Sequence, residues 1–78
     1  LMATTLAELA PGQRGTVCGF AQDDPFTQRL MQLGVIEGAD IEVVRCAPTG
    51  DPIEVRVMGY ALSLRRIEAA LVHVDPLG

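Results

Sequence analysis

The sequence predicts a small, mainly β domain with one inserted α-helix. Of its 78 residues, 49% are hydrophobic but only 4% are aromatic, so we expect a core built mainly of Val, Leu, Ile and Ala. About five short runs alternate apolar and polar residues, which is typical of strands with one buried face. Glycines and prolines separate these runs at close spacing. Because closure removes the exposed edges of so small a sheet, the pattern predicts an SH3-like barrel.

The length of the chain is typical of one domain, and we expect residues 1–78 to form it. No stretch approaches the roughly 18 apolar residues of a membrane-spanning helix. The pattern of a secretory signal is also missing. We therefore expect a cytoplasmic protein without direct membrane insertion.

The charge balance is acidic, with ten carboxylates against six arginines, no lysine and a formal charge of -4. A protein that binds nucleic acid needs a basic stripe or patch that neutralises phosphates. We therefore expect no nucleic-acid partner.

The first elements are an apolar hook and a strand. Leu6 and Leu9 precede a turn at Pro11 and Gly12, and they are expected to fold onto the barrel like a lid. Gly15 then opens a predicted strand over residues 16–20.

The inserted helix has clear start and stop signals. Asp23 and Asp24 offer an N-cap and suit the positive end of the helix dipole, and Pro25 fits the first helical position. Gly34 supplies the left-handed C-terminal stop. The helix is therefore expected to begin at Pro25 and to end before Gly34.

The spacing of residues on this helix predicts its buried face. The apolar positions at i, i+4 and i+7 are Phe26, Leu30 and Leu33. The polar residues expected to point away are Thr27, Gln28 and Gln32. Arg29 and Met31 flank the apolar face, where they either pack at its rim or contact a partner.

A hairpin follows the helix. Residues 39–46 are rich in β-branched side chains and predict a strand with one wet face. Residues 47–52 predict the hairpin tip, and the next strand alternates with core positions at Ile53, Val55 and Val57.

The chain ends with a turn at Gly59, a strand, a short helical turn and a last strand. In the first of these strands Leu62 and Leu64 should point inward. Arg65 and Arg66 then form the corner before the helical turn. Two roles are open for this pair: at least one arginine pairs with a carboxylate or caps carbonyl groups at the corner, or one presents its planar guanidinium to a partner.

The sequence offers few groups for metal binding or catalysis. Cys18 and Cys46 lie in apolar segments without metal-ligand spacing and are expected to be free thiols, with a disulfide as the minor alternative. His73 and Asp75 would project from one face of the last strand, but two ligands do not make a closed site. We expect a surface histidine near the end of an edge strand, and predict no metal site and no cofactor.

Catalysis is not expected either. His73 is the only histidine, and neither cysteine has an evident electropositive neighbour that would activate it. A phosphate-binding loop of the GxxxxGK[ST] type cannot form because the chain contains no lysine. We therefore expect a protein that is not an enzyme.

The order of these features resembles one known family, the ferrous iron transport protein A (FeoA) family. The resemblance extends over nearly the whole chain and rests on Leu6-x-x-Leu9-x-Pro11-Gly12, Gly15-x-Val17, Arg29-Leu30-x-x-Leu33-Gly34-Val35, Gly38, Val43, Gly50-x-Pro52, Val55, Gly59, Leu62 and Leu64-Arg65-Arg66-x-Glu68-Ala69. One departure is Glu37, where the family usually has a proline.

The resemblance implies a small cytosolic accessory protein of bacterial ferrous iron uptake. Such a protein would bind the cytosolic part of the membrane transporter FeoB, which carries a G-protein domain, without catalysing a reaction. The residues that we expect to contact this partner are Arg29, Met31, Arg65 and Arg66. A second copy of the chain also remains open as a partner, in a weak homodimer that a metal ion could bridge in a crystal. The barrel is also similar to the C-terminal domain of iron-dependent repressors, so the alternative function is an effector or interaction domain of a metal-dependent transcriptional regulator.

Overall fold

The computed structural model describes residues 4–77 and confirms a mainly β, SH3-like architecture. The strands are β1 (Thr4–Thr5), β2 (Arg14–Phe20), β3 (Asp40–Cys46), β4 (Ile53–Val57), β5 (Tyr60–Leu64) and β6 (Val72–Leu77). The helical segments are a 3₁₀ turn (Leu6–Glu8), α1 (Pro25–Gln32) and α2 (Arg66–Ala69). The described strands form one antiparallel sheet in the order β1-β6-β2-β3-β4-β5.

β1 is an addition to the five strands expected from the sequence. Its two residues, Thr4 and Thr5, pair with Val74 and His73 of β6. The predicted hook follows at once, with Leu6 fully buried and Leu9 nearly so. Burial of Leu6 holds the preceding residues beside β6, which explains a strand too short to show an alternating pattern.

One core lies inside the curved sheet, and every strand from β2 to β6 contributes to it. The buried apolar residues of this cluster are Leu6, Leu9, Val17, Leu30, Val35, Ile41, Val43, Ile53, Val55, Val57, Leu64, Ala69, Val72 and Val74. The register of β2 with β6 shifts between Val17 and Gly19. Such bulges bend a strand and raise its twist, so they help the sheet to wrap around the core.

The hairpin of β4 and β5 fixes the edge of the sheet. Its loop is Met58 and Gly59, both with positive φ (54° and 84°), as a type I′ turn requires. Val57 and Tyr60 therefore pair directly across the turn. β5 is the last strand of the sheet order, so its outer edge pairs with no other strand among the described residues.

The start and end of α1 follow the prediction, but its buried face does not. Thr27 is fully buried, whereas Phe26 is 42% exposed. The prediction that Phe26 packs in the core and Thr27 points away is wrong because Thr27 turns toward the N-cap residue Asp24 and satisfies its polar groups there. The buried stripe therefore runs through Thr27 and Leu30.

Candidate functional site

α1 presents Arg29 beside an apolar stripe. The helix is anchored at its start, where Asp24 Oδ1 accepts a hydrogen bond from the Thr27 backbone N–H at 3.0 Å and Thr27 Oγ1 accepts one from the Asp24 backbone N–H at 3.1 Å. This reciprocal capping box fixes the first turn. Arg29 lies exposed in the last turn, next to the buried Leu30.

The corner between β5 and α2 presents Arg65. Its backbone N–H donates to Glu68 Oε1 at 2.7 Å, which fixes the beginning of α2. The Arg65 side chain is exposed. Leu64, the residue before it, is 2% exposed and anchors the end of β5 in the core.

A cleft of about 390 Å³ brings Arg29 and Arg65 together. Leu30 and Leu33 line it from the α1 side, and Leu62, Ser63 and Leu64 line it from β5. The remaining lining residues are Pro52 and Glu68. We call this feature the arginine cleft; two of the four residues expected to contact a partner lie in it.

Arg66 lies outside the arginine cleft and contacts the hairpin tip instead. Its backbone N–H donates to Asp51 Oδ1 at 3.0 Å, and its guanidinium Nη1 donates to the carbonyl oxygen of Gly50 at 3.3 Å. One arginine of the pair was expected to contact a carboxylate or a carbonyl group at the corner, and Arg66 makes both kinds of contact.

Met31 is half-buried on α1 and does not line the cleft. Its position agrees with packing at the rim of the helix. Ser63 was not predicted as a residue of the site, because a serine in an alternating strand indicates only a position that faces solvent. Pro52, which comes from the hairpin tip, was not predicted either.

His73 and Asp75 lie on β6, on the face opposite to the buried Val72 and Val74. The expectation of an exposed histidine on an edge strand is wrong, because β1 and β2 flank β6. His73 is paired with both Thr5 and Gly19 and is half-buried. In the part of the chain that the structure describes, no three His, Cys, Asp or Glu residues are grouped so that they could hold a metal ion.

The two cysteines are free and half-buried, as expected. Burial raises the pKa of the Cys18 thiol, and the carboxylate of Asp75 raises it further. Both effects disfavour the thiolate, which is the nucleophilic form of cysteine. Cys18 therefore lacks the activation that a catalytic thiol needs.

Comparison with known proteins agrees with the resemblance seen in the sequence. The family model described as the FeoA domain matches residues 4–76. The chain belongs to the FeoA family. This family is associated with ferrous iron transport.

One relative of this FeoA-family chain carries a transporter in the same polypeptide. The chain is 37% identical over 70 residues to the Fe(2+) transport protein A/Fe(2+) transporter FeoB fusion protein of Porphyromonas gingivalis. The match covers 90% of this chain but only 8% of the fusion protein.

Solved FeoA structures share the fold. The FeoA-like protein of Clostridium acetobutylicum is 32% identical with a TM-score of 0.93, and the match covers 100% of this chain and 91% of that one. The FeoA of Stenotrophomonas maltophilia, a prokaryotic SH3 domain protein complexed with zinc, is 32% identical with a TM-score of 0.82. That match covers 92% of this chain and 89% of the other.

A manganese-dependent transcriptional repressor also has this fold, with a TM-score of 0.88 over 99% of the FeoA-family chain and 42% of the repressor. Their 20% identity makes this a likeness of fold alone. Among residues 4–77, no helix has the length and apolar character that crossing a membrane requires.

Proposed function

We propose that this chain is a non-catalytic cytosolic accessory protein of bacterial ferrous iron uptake. In this proposal residues 1–78 act as one domain that binds the cytosolic part of a FeoB-type transporter. The observation that carries the proposal is the fusion of a FeoA region to FeoB in the Porphyromonas gingivalis protein. A covalent link holds two binding modules at high effective concentration, so fusion is expected of partners that act together.

The proposed contact surface is centred on Arg29 and Arg65 in the arginine cleft. An arginine guanidinium donates hydrogen bonds from a planar fork and binds carboxylates in two-pronged geometry. Met31 and Arg66 are also included in the proposed surface although they do not line the cleft, and Arg66 in addition contacts the hairpin tip. Positive side chains on a protein of net charge -4 favour an acidic surface on the transporter.

The test is binding of the purified protein to full-length FeoB in the nucleotide-free, GTP-analogue and GDP states. Arg29→Glu and Arg65→Glu are expected to weaken binding by more than about tenfold, since each replaces a favourable charge by a repulsive one. Arg56→Glu is the matched control, because Arg56 is exposed on β4 and does not line the cleft. Absence of binding by the unchanged protein in every nucleotide state would overturn the proposal.

Arg66→Glu needs a separate control because Arg66 also contacts Gly50. Its thermal unfolding should be measured beside its binding. Weaker binding with an unchanged melting temperature would support a direct contact. Weaker binding that follows a lower melting temperature would assign Arg66 to the fold alone.

A further inference from the structure

The arginine cleft opens along a sheet edge that is free to pair. Val57, Val55 and Ile53 of β4 are opposite Tyr60, Leu62 and Leu64 of β5. In an antiparallel pair joined by a two-residue turn, the residues flanking the turn bond to each other, and hydrogen-bonded positions then alternate along the strands. The N–H and C=O groups of Ala61 and Ser63 therefore point away from β4.

Ser63 lines the cleft and is exposed, and its backbone N–H and C=O groups point to the outer side of β5. β5 ends the strand order of the described residues, and no backbone hydrogen bond found there involves Ser63 on its outer side. An unpaired strand edge is a template for an extended chain, which adds as a further strand.

The base of the cleft is aliphatic. Leu30 and Leu64 are each 2% exposed, and Leu33 and Leu62 are half-buried beside them. None of the aromatic side chains within residues 4–77 lines the cleft. A groove for polyproline segments depends on aromatic walls, so this one instead suits a Leu, Ile or Val side chain.

The charged side chains at the cleft carry a net positive charge. Within residues 4–77 the one ion pair is that of Arg45 with Glu54, which leaves Arg29 and Arg65 without a carboxylate partner. Glu68 also lines the cleft, but its Oε1 accepts the hydrogen bond of the Arg65 backbone N–H. Two guanidinium groups against one engaged carboxylate favour a negatively charged ligand.

We propose that the arginine cleft binds an extended segment of the partner with the pattern aliphatic-x-acidic, added as a strand to β5. In a strand, residues i and i+2 point to the same face. An aliphatic side chain can therefore pack against the half-buried Leu33 and Leu62. The carboxylate two residues away then reaches Arg29 or Arg65. The inference rests on the proposed function, because it states the chemistry of the transporter segment at the same surface.

The test is an NMR titration of the ¹⁵N-labelled protein with a short acetylated and amidated peptide. Its centre contains leucine, threonine and glutamate in that order, flanked by serines. The expected result is saturable binding with the largest shifts at the amides of Ser63, Arg65 and Arg29. A matched peptide with lysine in place of glutamate should bind at least about tenfold more weakly, the effect of losing one charge-assisted hydrogen bond.

Two kinds of variant separate backbone pairing from charge recognition. Ser63→Pro removes the outward N–H and should weaken binding of the glutamate peptide by about tenfold, as for one lost hydrogen bond. Proline is tolerated on an edge strand, and circular dichroism checks that the variant is folded. Arg65→Glu should reverse the preference in favour of the lysine peptide, and this outcome does not depend on Ser63.

Three results would overturn the inference: equal binding of the two peptides, shifts that lie away from the cleft, or no saturable binding at millimolar concentration. The transporter assay keeps this failure distinct from failure of the proposed function. If FeoB binds the unchanged protein and the Ser63→Pro and Arg29→Glu variants equally well, the cleft is not the site although the function stands.

Discussion

The backbone N–H of Arg66 donates a hydrogen bond to the Oδ1 atom of Asp51 at 3.0 Å. Arg66 is the first residue of α2, and Asp51 lies in the loop between β3 and β4. Arg65, the residue at the N-cap position, donates no side-chain hydrogen bond there and cannot act as an acceptor. Asp51 therefore caps α2 from a distant loop and joins the hairpin tip to the corner that carries Arg65.

Removal of this distant cap should destabilise the protein. We expect Asp51→Ala to lower the free energy of unfolding by about 1 kcal/mol, the usual cost of losing an N-cap acceptor. Asp51→Asn keeps an acceptor oxygen and should lose less. Urea unfolding followed by circular dichroism measures both, and equal stability of Asp51→Ala and the unchanged protein would show that the bond is not used in solution.

Thr27 is expected to contribute more to the free energy of unfolding than Asp51 does, because Thr27 is fully buried. Thr27→Val keeps the shape of the side chain but leaves the Asp24 backbone N–H without its acceptor. The expected loss is about 1–3 kcal/mol, the cost of an unsatisfied polar group. Thr27→Ser keeps the hydroxyl and is the matched control; a Thr27→Val variant as stable as Thr27→Ser would contradict the assignment.

Gly34 ends α1 where two side chains of the β4–β5 hairpin approach the backbone. A Cβ atom at this position would lie 3.0 Å from Met58 Cγ and 3.3 Å from Tyr60 Oη, and φ is +101°. Gly38 has a similar φ of +91°, but a Cβ there would meet nothing within 4 Å. Gly38→Ala is therefore the control for backbone strain alone.

Comparison of the two alanine variants isolates the crowding at Gly34. We expect Gly38→Ala to lower the free energy of unfolding by roughly 1–2 kcal/mol, the cost of holding a residue with a Cβ atom in the left-handed region. Gly34→Ala should cost more, and Met58→Ala in that background should recover part of the difference. Thermal unfolding of the variants measures this; equal losses for the two glycines would mean that the hairpin moves aside freely.

The strands and turns were predictable because their signals are local. Ile53, Val55 and Val57 alternate with charged residues, and one buried sheet face demands that period. Asp24, Pro25 and Gly34 likewise mark the ends of α1 through backbone chemistry confined to a few residues. These elements form where the sequence indicates because local and tertiary preferences agree.

The errors and omissions arise where a distant or reciprocal contact decides. Thr27 reads as a polar residue that faces solvent, but its hydroxyl is satisfied by Asp24 and can be buried. The spacing of Phe26 predicted a core position, but its side chain is exposed. Arg29 and Arg65 lie far apart in the sequence, so only the folded chain, in which α1 and β5 line the same cleft, brings them together.

Cys18 provides a pH-dependent prediction with a defined sign. Burial is the larger cause of its raised pKa and the negative charge of Asp75 is the next, so both keep the thiol protonated at pH values where a free cysteine begins to ionise. Since the thiolate is the reacting form, alkylation of Cys18 at pH 8 should be slower than that of an unstructured cysteine peptide.

The measurement is the rate of iodoacetamide modification against pH in a Cys46→Ala background, where Cys18 is the only thiol. Asp75→Asn removes the nearby negative charge and should move the rate profile to lower pH. Because Cys18 remains half-buried in this variant, its rate should still rise at a higher pH than that of the peptide. Glu8→Gln, a change at an exposed carboxylate that does not act on Cys18, is the control. If the Asp75→Asn profile coincides with that of the control, Asp75 does not act on the thiol. If it returns completely to the peptide profile, the raised pKa of Cys18 is due to charge alone and not to burial.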